Sequence, residues 1–309
     1  MKSLSTVSKY CLFLIVLFST TLSPAQFTKA MSSQINPLTN EPQVQTQPHL
    51  SAWFWHTSMI ETNTSDVISF IKQQQIKVLY LQVNPDIQVK SYQNFIEKMS
   101  EIQVEVHALD GSPLFSSPGK EELLHNFYTW LTTYQEQSEP NQKFKGVHLD
   151  VEPYLHSDWQ TDRKNAVLHF QHFVLKAKTR ADLLNLPLTL DIPFWFDEIN
   201  FTNQYGNGNL AEWIIKKVDA ITIMAYRDSS AKIIPIVAKE IQWANQLGKK
   251  VVIGLETYQT EEPPFITFHE EGEAVMKEQF KHVHQHYVHD PSYAGISIHD
   301  IKNWMGMKK

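Results

Sequence analysis

Eight short runs rich in Val, Ile, Leu and aromatic residues recur along the chain, and longer segments with helical periodicity separate most of them. The runs are LSAWFWH (50–56), IKVLYLQV (76–83), QVEVHALD (103–110), FKGVHLDVEP (144–153), LPLTLDIPFWF (186–196), VDAITIMAYRD (218–228), KKVVIGLETY (249–258) and YAGISIHD (293–300). Parallel strands need long crossover connections, so this alternation indicates a parallel sheet with helices between its strands. Eight strands predict one closed (β/α)8 TIM barrel, with an open doubly wound sheet as the alternative. No GxGxxG or GxxxxGKS/T motif follows the first run, which weakens the nucleotide-binding form of that alternative.

The segments between the runs predict the crossover helices, because their apolar residues repeat with a period near 3.6. These helices are predicted at Ser65–Gln74, Tyr92–Ser100, Lys120–Gln135, Asp162–Leu184, Leu210–Lys217, Ile233–Leu247 and Glu271–Tyr287. The predicted barrel domain spans residues 49–309, close to the usual size of one such domain.

The N-terminal residues have the order of a secretory signal peptide. Two lysines precede an apolar run at 10–18, and the small residues Ser23 and Ala25 follow it. We therefore expect residues 1–25 to be cleaved and the protein to be secreted, with no stable membrane insertion. A retained segment would instead hold the protein at the cell surface, although its apolar run is shorter than the roughly 20 residues that span a bilayer.

Composition narrows the class of protein further. Residues 26–48 are rich in Gln, Pro, Thr, Ser and Asn, which is typical of a flexible leader. The formal net charge of −6 argues against a sequence-independent nucleic-acid binder, which would need a basic surface for phosphates. The single cysteine, Cys11, lies inside the predicted signal peptide, so the mature chain must be stabilised by its core and not by disulfides. The sequence does not indicate an oligomeric state.

The alternation of side chains along the runs predicts which residues face the barrel interior. The fourth run puts Val147, Leu149 and Val151 on one face and Gly146, His148, Asp150 and Glu152 on the other. The fifth, sixth and seventh runs show the same division between aliphatic residues and polar or aromatic ones. We expect the aliphatic face to pack under the helices and the other face to crowd the carboxyl ends of the strands, where active sites of this fold lie.

Asp150 and Glu152 carry the predicted chemistry, since their spacing points both carboxylates into the barrel mouth about 6–7 Å apart. Two like charges this close do not both ionise easily, so one carboxyl should stay protonated. Glycoside hydrolysis needs a protonated acid together with a second, negative group. A metal-binding or salt-bridged Asp-x-Glu pair is the alternative interpretation.

These residues resemble a known family. GVHLDVE (146–152) is similar to the fourth-strand signature of family 18 chitinases, VDAITIMAYRD (218–228) to their Met-x-Tyr-Asp segment, and KKVVIGLETY (249–258) to their seventh-strand segment. The resemblance implies that Glu152 protonates the leaving group, that Asp150 orients the substrate's 2-acetamido group, and that Tyr226 hydrogen-bonds to that group. It implies a polysaccharide or oligosaccharide substrate with N-acetylated sugars, as in chitin or a cell wall, and no cofactor.

The chain departs from the family pattern at several positions. Lys145 and His148 stand where the family has acidic residues, Arg227 precedes Asp228, and the last run offers Ser297 and His299 in place of a tryptophan.

Two other functions remain open. Glu152 and Glu256 could form the acid/base and nucleophile of a two-carboxylate retaining glycosidase. Alternatively, the protein could be a carbohydrate-binding barrel without catalytic activity.

Further residues near the strand ends are candidates for binding the sugar. Aromatic faces suit sugar stacking, and the candidates are Trp53, Trp55, Trp195, Tyr226 and Tyr258. Polar candidates for the hydroxyl groups are Gln82, Asn84, His107, Asp110 and Asp191. The segments that resemble the family, together with the last run, add Met224, Asp228 and His299.

A histidine-rich stretch raises the question of a metal. His282 and His286 share one helix face, but no HExxH pattern accompanies them, so a solvated face and no metal site are predicted. The proline-bearing segment 259–267 could form a lid over the barrel mouth.

Overall fold

Eight parallel strands close into a barrel, in the spatial order β1-β10-β9-β8-β5-β4-β3-β2. The barrel strands are β1 (Leu50–Phe54), β2 (Ile76–Gln82), β3 (Glu105–Asp110), β4 (Gly146–Leu149), β5 (Leu188–Pro193), β8 (Ala220–Met224), β9 (Lys250–Glu256) and β10 (Tyr293–His299). Each strand lies within one of the eight predicted runs. The predicted (β/α)8 fold is therefore confirmed, and the doubly wound alternative is excluded by the closed barrel.

The structure is a computed structural model that describes residues 47–261 and 263–309. The predicted signal peptide, 1–25, and all but the last two residues of the predicted leader, 26–48, lie outside the described residues.

Helices cover the outside of the barrel. They are α1 (Met59–Thr62), α2 (Thr64–Gln73), α3 (Val89–Glu101), α4 (Glu121–Gln137), α5 (Asp158–Thr161), α6 (Arg163–Leu183), α7 (Leu210–Lys217), α8 (Ser230–Ile236), α9 (Ala238–Leu247), α10 (Glu273–Tyr287) and α11 (Ile301–Gly306). Within the described ranges, no helix combines the length and the apolar character needed to cross a membrane.

Several local features differ from the prediction. The short helices α1, α5 and α11 were not predicted. The helix expected at 233–247 is divided at Val237 into α8 and α9, next to Pro235, which lacks a backbone N–H and disfavours a continuous helix. A hairpin of β6 (Asn200–Asn203) and β7 (Gly206–Asn209) follows β5 and was not predicted. Its strands consist largely of Asn and Gly, so they lack the apolar alternation that identifies a strand.

The barrel wall separates two apolar regions, as the alternation within the runs predicts. Val147 and Leu149 are fully buried in the large core between the strands and the helices. Inside the barrel, Trp53, Tyr80 and Leu109 form a separate small cluster. A glycine makes room for it, because a Cβ atom on Gly254 would lie 2.9 Å from Cη2 of Trp53. The interior is thus filled by large rings, with the polar groups above them.

Glu240 is an unusual member of the outer core. Its side chain in α9 is fully buried, and neither carboxylate oxygen has a hydrogen-bond partner in another described residue. Burial, with a contribution from the charge of Asp197, raises the pKa of Glu240 to about 8. The group is therefore protonated at neutral pH, since an isolated buried carboxylate is costly to ionise.

This burial predicts a pH dependence of stability. The unfolded chain ionises Glu240 near pH 4.5 and the folded chain only near pH 8, so the folded state binds more protons between these values. The free energy of unfolding should then fall as the pH rises through this range, by up to about 1.4 kcal/mol per pH unit. We expect Glu240→Gln to flatten the fall, as measured by urea unfolding. Exposed Glu278→Gln in α10 is the control and should leave it unchanged; equal slopes in wild type and Glu240→Gln would contradict the prediction.

Candidate active site

Four carboxylates come together at the carboxyl ends of the barrel strands, and we call them the carboxylate cluster. They are Asp150 and Glu152, which follow β4, Asp191 in β5 and Glu256 in β9. Burial, together with the charges of all four, raises the pKa of the Tyr226 phenol well above its ordinary value. One mouth therefore contains the predicted acid pair, the predicted tyrosine and both further acids.

Asp150 has the least support from hydrogen bonds. Its side chain is partly exposed, but Oδ1 is buried and has no hydrogen-bond partner among the described residues. Burial raises the pKa of Asp150 well above the ordinary range, and the charges of Asp191 and Glu152 raise it further. The geometry thus favours a protonated Asp150 near neutral pH.

Asp191 lies deeper in the barrel, with 2% of its surface exposed. The indole N–H of Trp53 donates to its Oδ2 at 2.8 Å, and Nε2 of His148 lies 2.7 Å from its Oδ1. Burial lowers the pKa of His148 well below its ordinary value, so the ring is neutral and carries its hydrogen on Nε2. Buried donors thus hold both oxygens of Asp191, and a role for this residue in binding sugar hydroxyls stays a prediction.

Trp53 needs correcting as a stacking residue. Its indole is fully buried and packs edge-on against Tyr80 and His148, with ring centroids 5.5 and 5.7 Å apart. No face of this ring remains for a sugar.

Glu152 lies beside an aromatic wall formed by Tyr154, Trp159, Trp195 and Phe196. The Tyr154 hydroxyl donates to Oε1 of Glu152, and the Tyr154 ring lies edge-on to Trp195 with centroids 5.0 Å apart. Trp195, a predicted stacking residue, is partly exposed. Tyr154 was not predicted; the available signal was a tyrosine two residues beyond Glu152, just past the end of the apolar run.

Glu256 accepts hydrogen bonds at both of its oxygens. The backbone N–H groups of Thr257 and Tyr258 each donate to Oε1 at 2.7 Å, and Nδ1 of His299 lies 3.0 Å from Oε2. The carboxylate is 9% exposed. These contacts suit a fixed negative charge better than an attacking nucleophile, whose oxygen must be free to approach a carbon atom.

His299 links Glu256 to Trp55. Burial tends to lower the pKa of His299, but the hydrogen bond and charge of Glu256 outweigh it and raise the pKa to about 9. The indole N–H of Trp55 points at the other ring nitrogen, Nε2, at 3.0 Å. An N–H can donate only to an unprotonated nitrogen, so this contact acts against the effect of Glu256: it stabilises the neutral ring with its hydrogen on Nδ1 and tends to lower the pKa of His299.

Several predicted binding residues have local partners instead. The side-chain Oε1 of Gln82 accepts from the Thr57 hydroxyl at 3.4 Å, and the side chain of Asn84 accepts from the backbone N–H of Asp86 at 3.0 Å. His107 lies low in the barrel, where a Cβ atom on Gly146 would come within 2.7 Å of its ring. A role for these side chains in sugar binding stays a prediction.

The remaining candidates lie at or below the rim. Asp110 lies on the face of β3 that packs under the helices, and burial raises its pKa to about 6. Met224 is 5% exposed, Tyr258 is 56% exposed, and Asp228 pairs with Lys232 at 2.9 Å.

The C-terminal part of the predicted lid segment is hydrogen-bonded to residues at the ends of β8 and β9. The backbone N–H of Asp228 donates to the carbonyl of Phe265 at 2.9 Å, and that of Phe268 to the carbonyl of Glu256 at 2.9 Å. Closure of this segment over the mouth stays a prediction.

No group of three or more His, Cys, Asp or Glu side chains in residues 47–261 and 263–309 is arranged to hold a metal ion. In α10, His282 and His286 are exposed, while His284 is buried and lies 3.4 Å from the Tyr293 hydroxyl.

Solved structures show the same fold. A family 18 chitinase from Cycas revoluta in complex with (GlcNAc)4 aligns with a TM-score of 0.50 at 11% identity, over 82% of this chain and 95% of that chain. A class V chitinase from Pseudomonas fluorescens Pf-5 aligns with a TM-score of 0.45 at 15% identity, over 68% of this chain and 69% of that chain. A chitinase from Chromobacterium violaceum has a TM-score of 0.44 at 12% identity, over the same shares. No family model and no curated protein matches the sequence. The likeness at such low identity shows the (β/α)8 fold alone.

The contact between Trp55 and His299 predicts a measurable pKa change. Trp55→Phe removes the N–H that stabilises the unprotonated Nε2, so the pKa of His299 should rise by about one unit, the equivalent of one hydrogen bond. Titration of the ring nitrogens by NMR measures this change. Trp195→Phe, which alters the aromatic wall, is the control and should leave the His299 titration in place. An unchanged or lower pKa in Trp55→Phe would show that the indole does not hold the neutral ring.

Proposed function

Starting from the (β/α)8 fold that the chain shares with family 18 chitinases, we propose that it is a glycoside hydrolase acting on a glycan with N-acetylated sugars, such as chitin or a cell-wall polysaccharide. One observation carries the proposal above the others. Asp150 and Glu152 meet at the barrel mouth in an environment that keeps a proton on a carboxyl near neutral pH. The (GlcNAc)4 bound to the Cycas revoluta chitinase supports the class of substrate.

The proposed reaction uses the substrate's own acetamido group. Its carbonyl oxygen attacks the anomeric carbon while the glycosidic bond breaks, and the proton of Glu152 moves to the leaving oxygen. Water then adds to the anomeric carbon, the acetamido oxygen leaves it, and a proton of the water returns to Glu152. Asp150 orients the acetamido group, and Tyr226 hydrogen-bonds to it. No cofactor takes part in either step.

The aromatic wall supplies the binding surface next to the acid. Trp195 is partly exposed beside Tyr154, whose hydroxyl holds Glu152 in place. The flat C–H face of a sugar ring packs well on such an aromatic face. The wall would thus present the glycosidic oxygen to Glu152.

The two-carboxylate mechanism with Glu256 as the nucleophile has less support. Two backbone N–H groups and His299 already occupy the Glu256 oxygens. Glu256 fits better as the charge that holds His299 and, with the other acids, keeps Tyr226 protonated.

We propose in addition that residues 1–25 direct secretion and are removed. Support comes from the sequence, where lysines, an apolar run and small residues follow one another.

If the protein hydrolyses glycans by the proposed reaction, a Glu152→Gln variant should lose activity. Glu152→Gln keeps the size of the side chain but removes the acid, so release of reducing ends from chitin oligosaccharides and cell-wall preparations should fall about 10²–10⁴-fold. The control Glu198→Gln removes an exposed glutamate near the end of β5 and should retain full activity. Circular dichroism checks that both variants are folded.

Other outcomes separate the rival functions. Activity that persists in Glu152→Gln would overturn the assignment of the acid. A Glu256→Gln variant that loses activity and regains it when azide is added, because azide replaces the missing nucleophile, would support the two-carboxylate mechanism. Binding of a glycan without release of reducing ends would leave only the sugar-binding barrel.

Secretion is tested on the full chain. Expressed in a secreting host, the protein should reach the medium with its N terminus at or shortly after residue 26. An intact N terminus in the membrane fraction would contradict cleavage.

A further inference from the structure

We propose that Asp191 is a positioning residue whose negative charge, fixed by Trp53 and His148, keeps the reactive proton on Asp150. The inference rests on the proposed function for its consequence in catalysis, but the pairing of the two acids can be tested without any activity. It assigns a role to a buried carboxylate that sequence reasoning placed among the sugar-binding residues.

The strand register places the two acids side by side. Leu149 of β4 pairs with Leu190 of β5, so Asp150 and Asp191 are the next residues on the two neighbouring strands. Neighbouring strands lie about 4.8 Å apart, and both side chains lie on the face of the strand that points into the barrel. Two carboxylates in this arrangement repel each other when both are charged, so the pair favours holding one proton.

Hydrogen bonds decide which acid stays charged. Asp191 accepts from the Trp53 indole at 2.8 Å and from the His148 ring at 2.7 Å, and both donors are fully buried. Such donors stabilise a carboxylate and compensate for its burial. Oδ1 of Asp150 is buried and lacks any partner among the described residues. Burial raises the pKa of Asp191 as well, but its two donors stabilise the charged form, whereas Oδ1 of Asp150 has no such donor in the described part of the chain. The charge therefore resides on Asp191, and the proton resides on Asp150.

The surroundings of Asp150 agree with this division. The charged or titratable groups around it come from every neighbouring part of the mouth, namely Asp191 from β5, Glu152 beyond β4, Tyr226 beyond β8, Glu256 from β9 and His299 from β10. His299 alone among them acts to lower the pKa of Asp150, and its contact with Trp55 limits that effect by favouring the neutral ring.

This arrangement gives His148 a role. It stands where the family that this chain resembles has an acidic residue, and its ring holds the acid of the neighbouring strand, Asp191. Its ring stacks on Tyr80 with centroids 3.7 Å apart, which fixes the direction of the Nε2–H bond towards Asp191. In the proposed reaction, Glu152 starts as a carboxylate and receives the proton held on Asp150 as it protonates the leaving oxygen; the proton that water later gives to Glu152 passes back to Asp150. Between these two transfers, Asp150 is negative beside the acetamido group, where positive charge develops.

The test is a titration of the whole protein labelled with ¹³C at the aspartate carboxyl carbons. The signal of Asp150 is assigned by its loss in Asp150→Asn. In the wild type, we expect Asp150 to ionise well above the ordinary range of an aspartate. Asp191→Asn removes the neighbouring charge and should lower the midpoint of Asp150 by at least about one pH unit, a tenfold change in its ionisation constant.

A second variant keeps the carboxylate and removes only one donor. Trp53→Phe deletes the indole N–H, so the proton should move part of the way from Asp150 to Asp191. The midpoint of Asp150 should fall less than in Asp191→Asn, and the midpoint of Asp191 should rise. Should Asp191→Asn fail to fold, Trp53→Phe decides the question alone. Asp197→Asn removes an aspartate that pairs with Lys239 instead and should change neither midpoint.

The outcomes separate this inference from the proposed function. An ordinary midpoint for Asp150 in the wild type, or one that neither variant shifts, would overturn the role of Asp191 even if the protein hydrolyses glycans. The expected shifts without glycan hydrolysis would keep the acid pair and overturn the function. If both hold, the limb of the pH-activity profile set by Asp150 should move in Asp191→Asn by the same amount as its NMR midpoint.

Discussion

The carboxylate of Asp191, held by Trp53 and His148, is the interaction on which the centre of this barrel depends. It joins side chains of β1, β4 and β5, and it places a negative charge where almost no water reaches. A buried charge is tolerated only when donors satisfy it, so these rings must keep their positions. Gly254 leaves the space that the Trp53 indole fills. The packing below the mouth thereby determines the electrostatics within it.

Different donors give the four acids of the carboxylate cluster different roles. Asp191 accepts from two buried rings, and Glu256 accepts from two backbone N–H groups and His299. Both are suited to permanent negative charge. Among residues 47–261 and 263–309, one buried oxygen of Asp150 has no partner, and Glu152 accepts from Tyr154 of the aromatic wall. In the proposed function, Asp191 and Glu256 keep their charge while Asp150 and Glu152 exchange a proton, which is the division of roles that acid catalysis requires.

The fold was largely predictable because the signals for it are local. Apolar runs of strand length alternate with helical segments, and a parallel sheet with crossovers follows from that order. The parity of β4 followed in the same way, since side chains alternate along any strand. The β6–β7 hairpin was missed because its Asn and Gly residues carry no apolar alternation. The break between α8 and α9 was missed although Pro235 marks it.

The sequence by itself determined the barrel, the inward direction of Asp150 and Glu152, and the collection of acids at the strand ends. Only the tertiary structure decided the partners of those acids: Trp53 and His148 for Asp191, Tyr154 for Glu152, and His299 with Trp55 for Glu256. The physical reason is that alternation along a strand is a local property, whereas a hydrogen bond across the barrel joins residues up to 245 positions apart, and their distance depends on how the strands close.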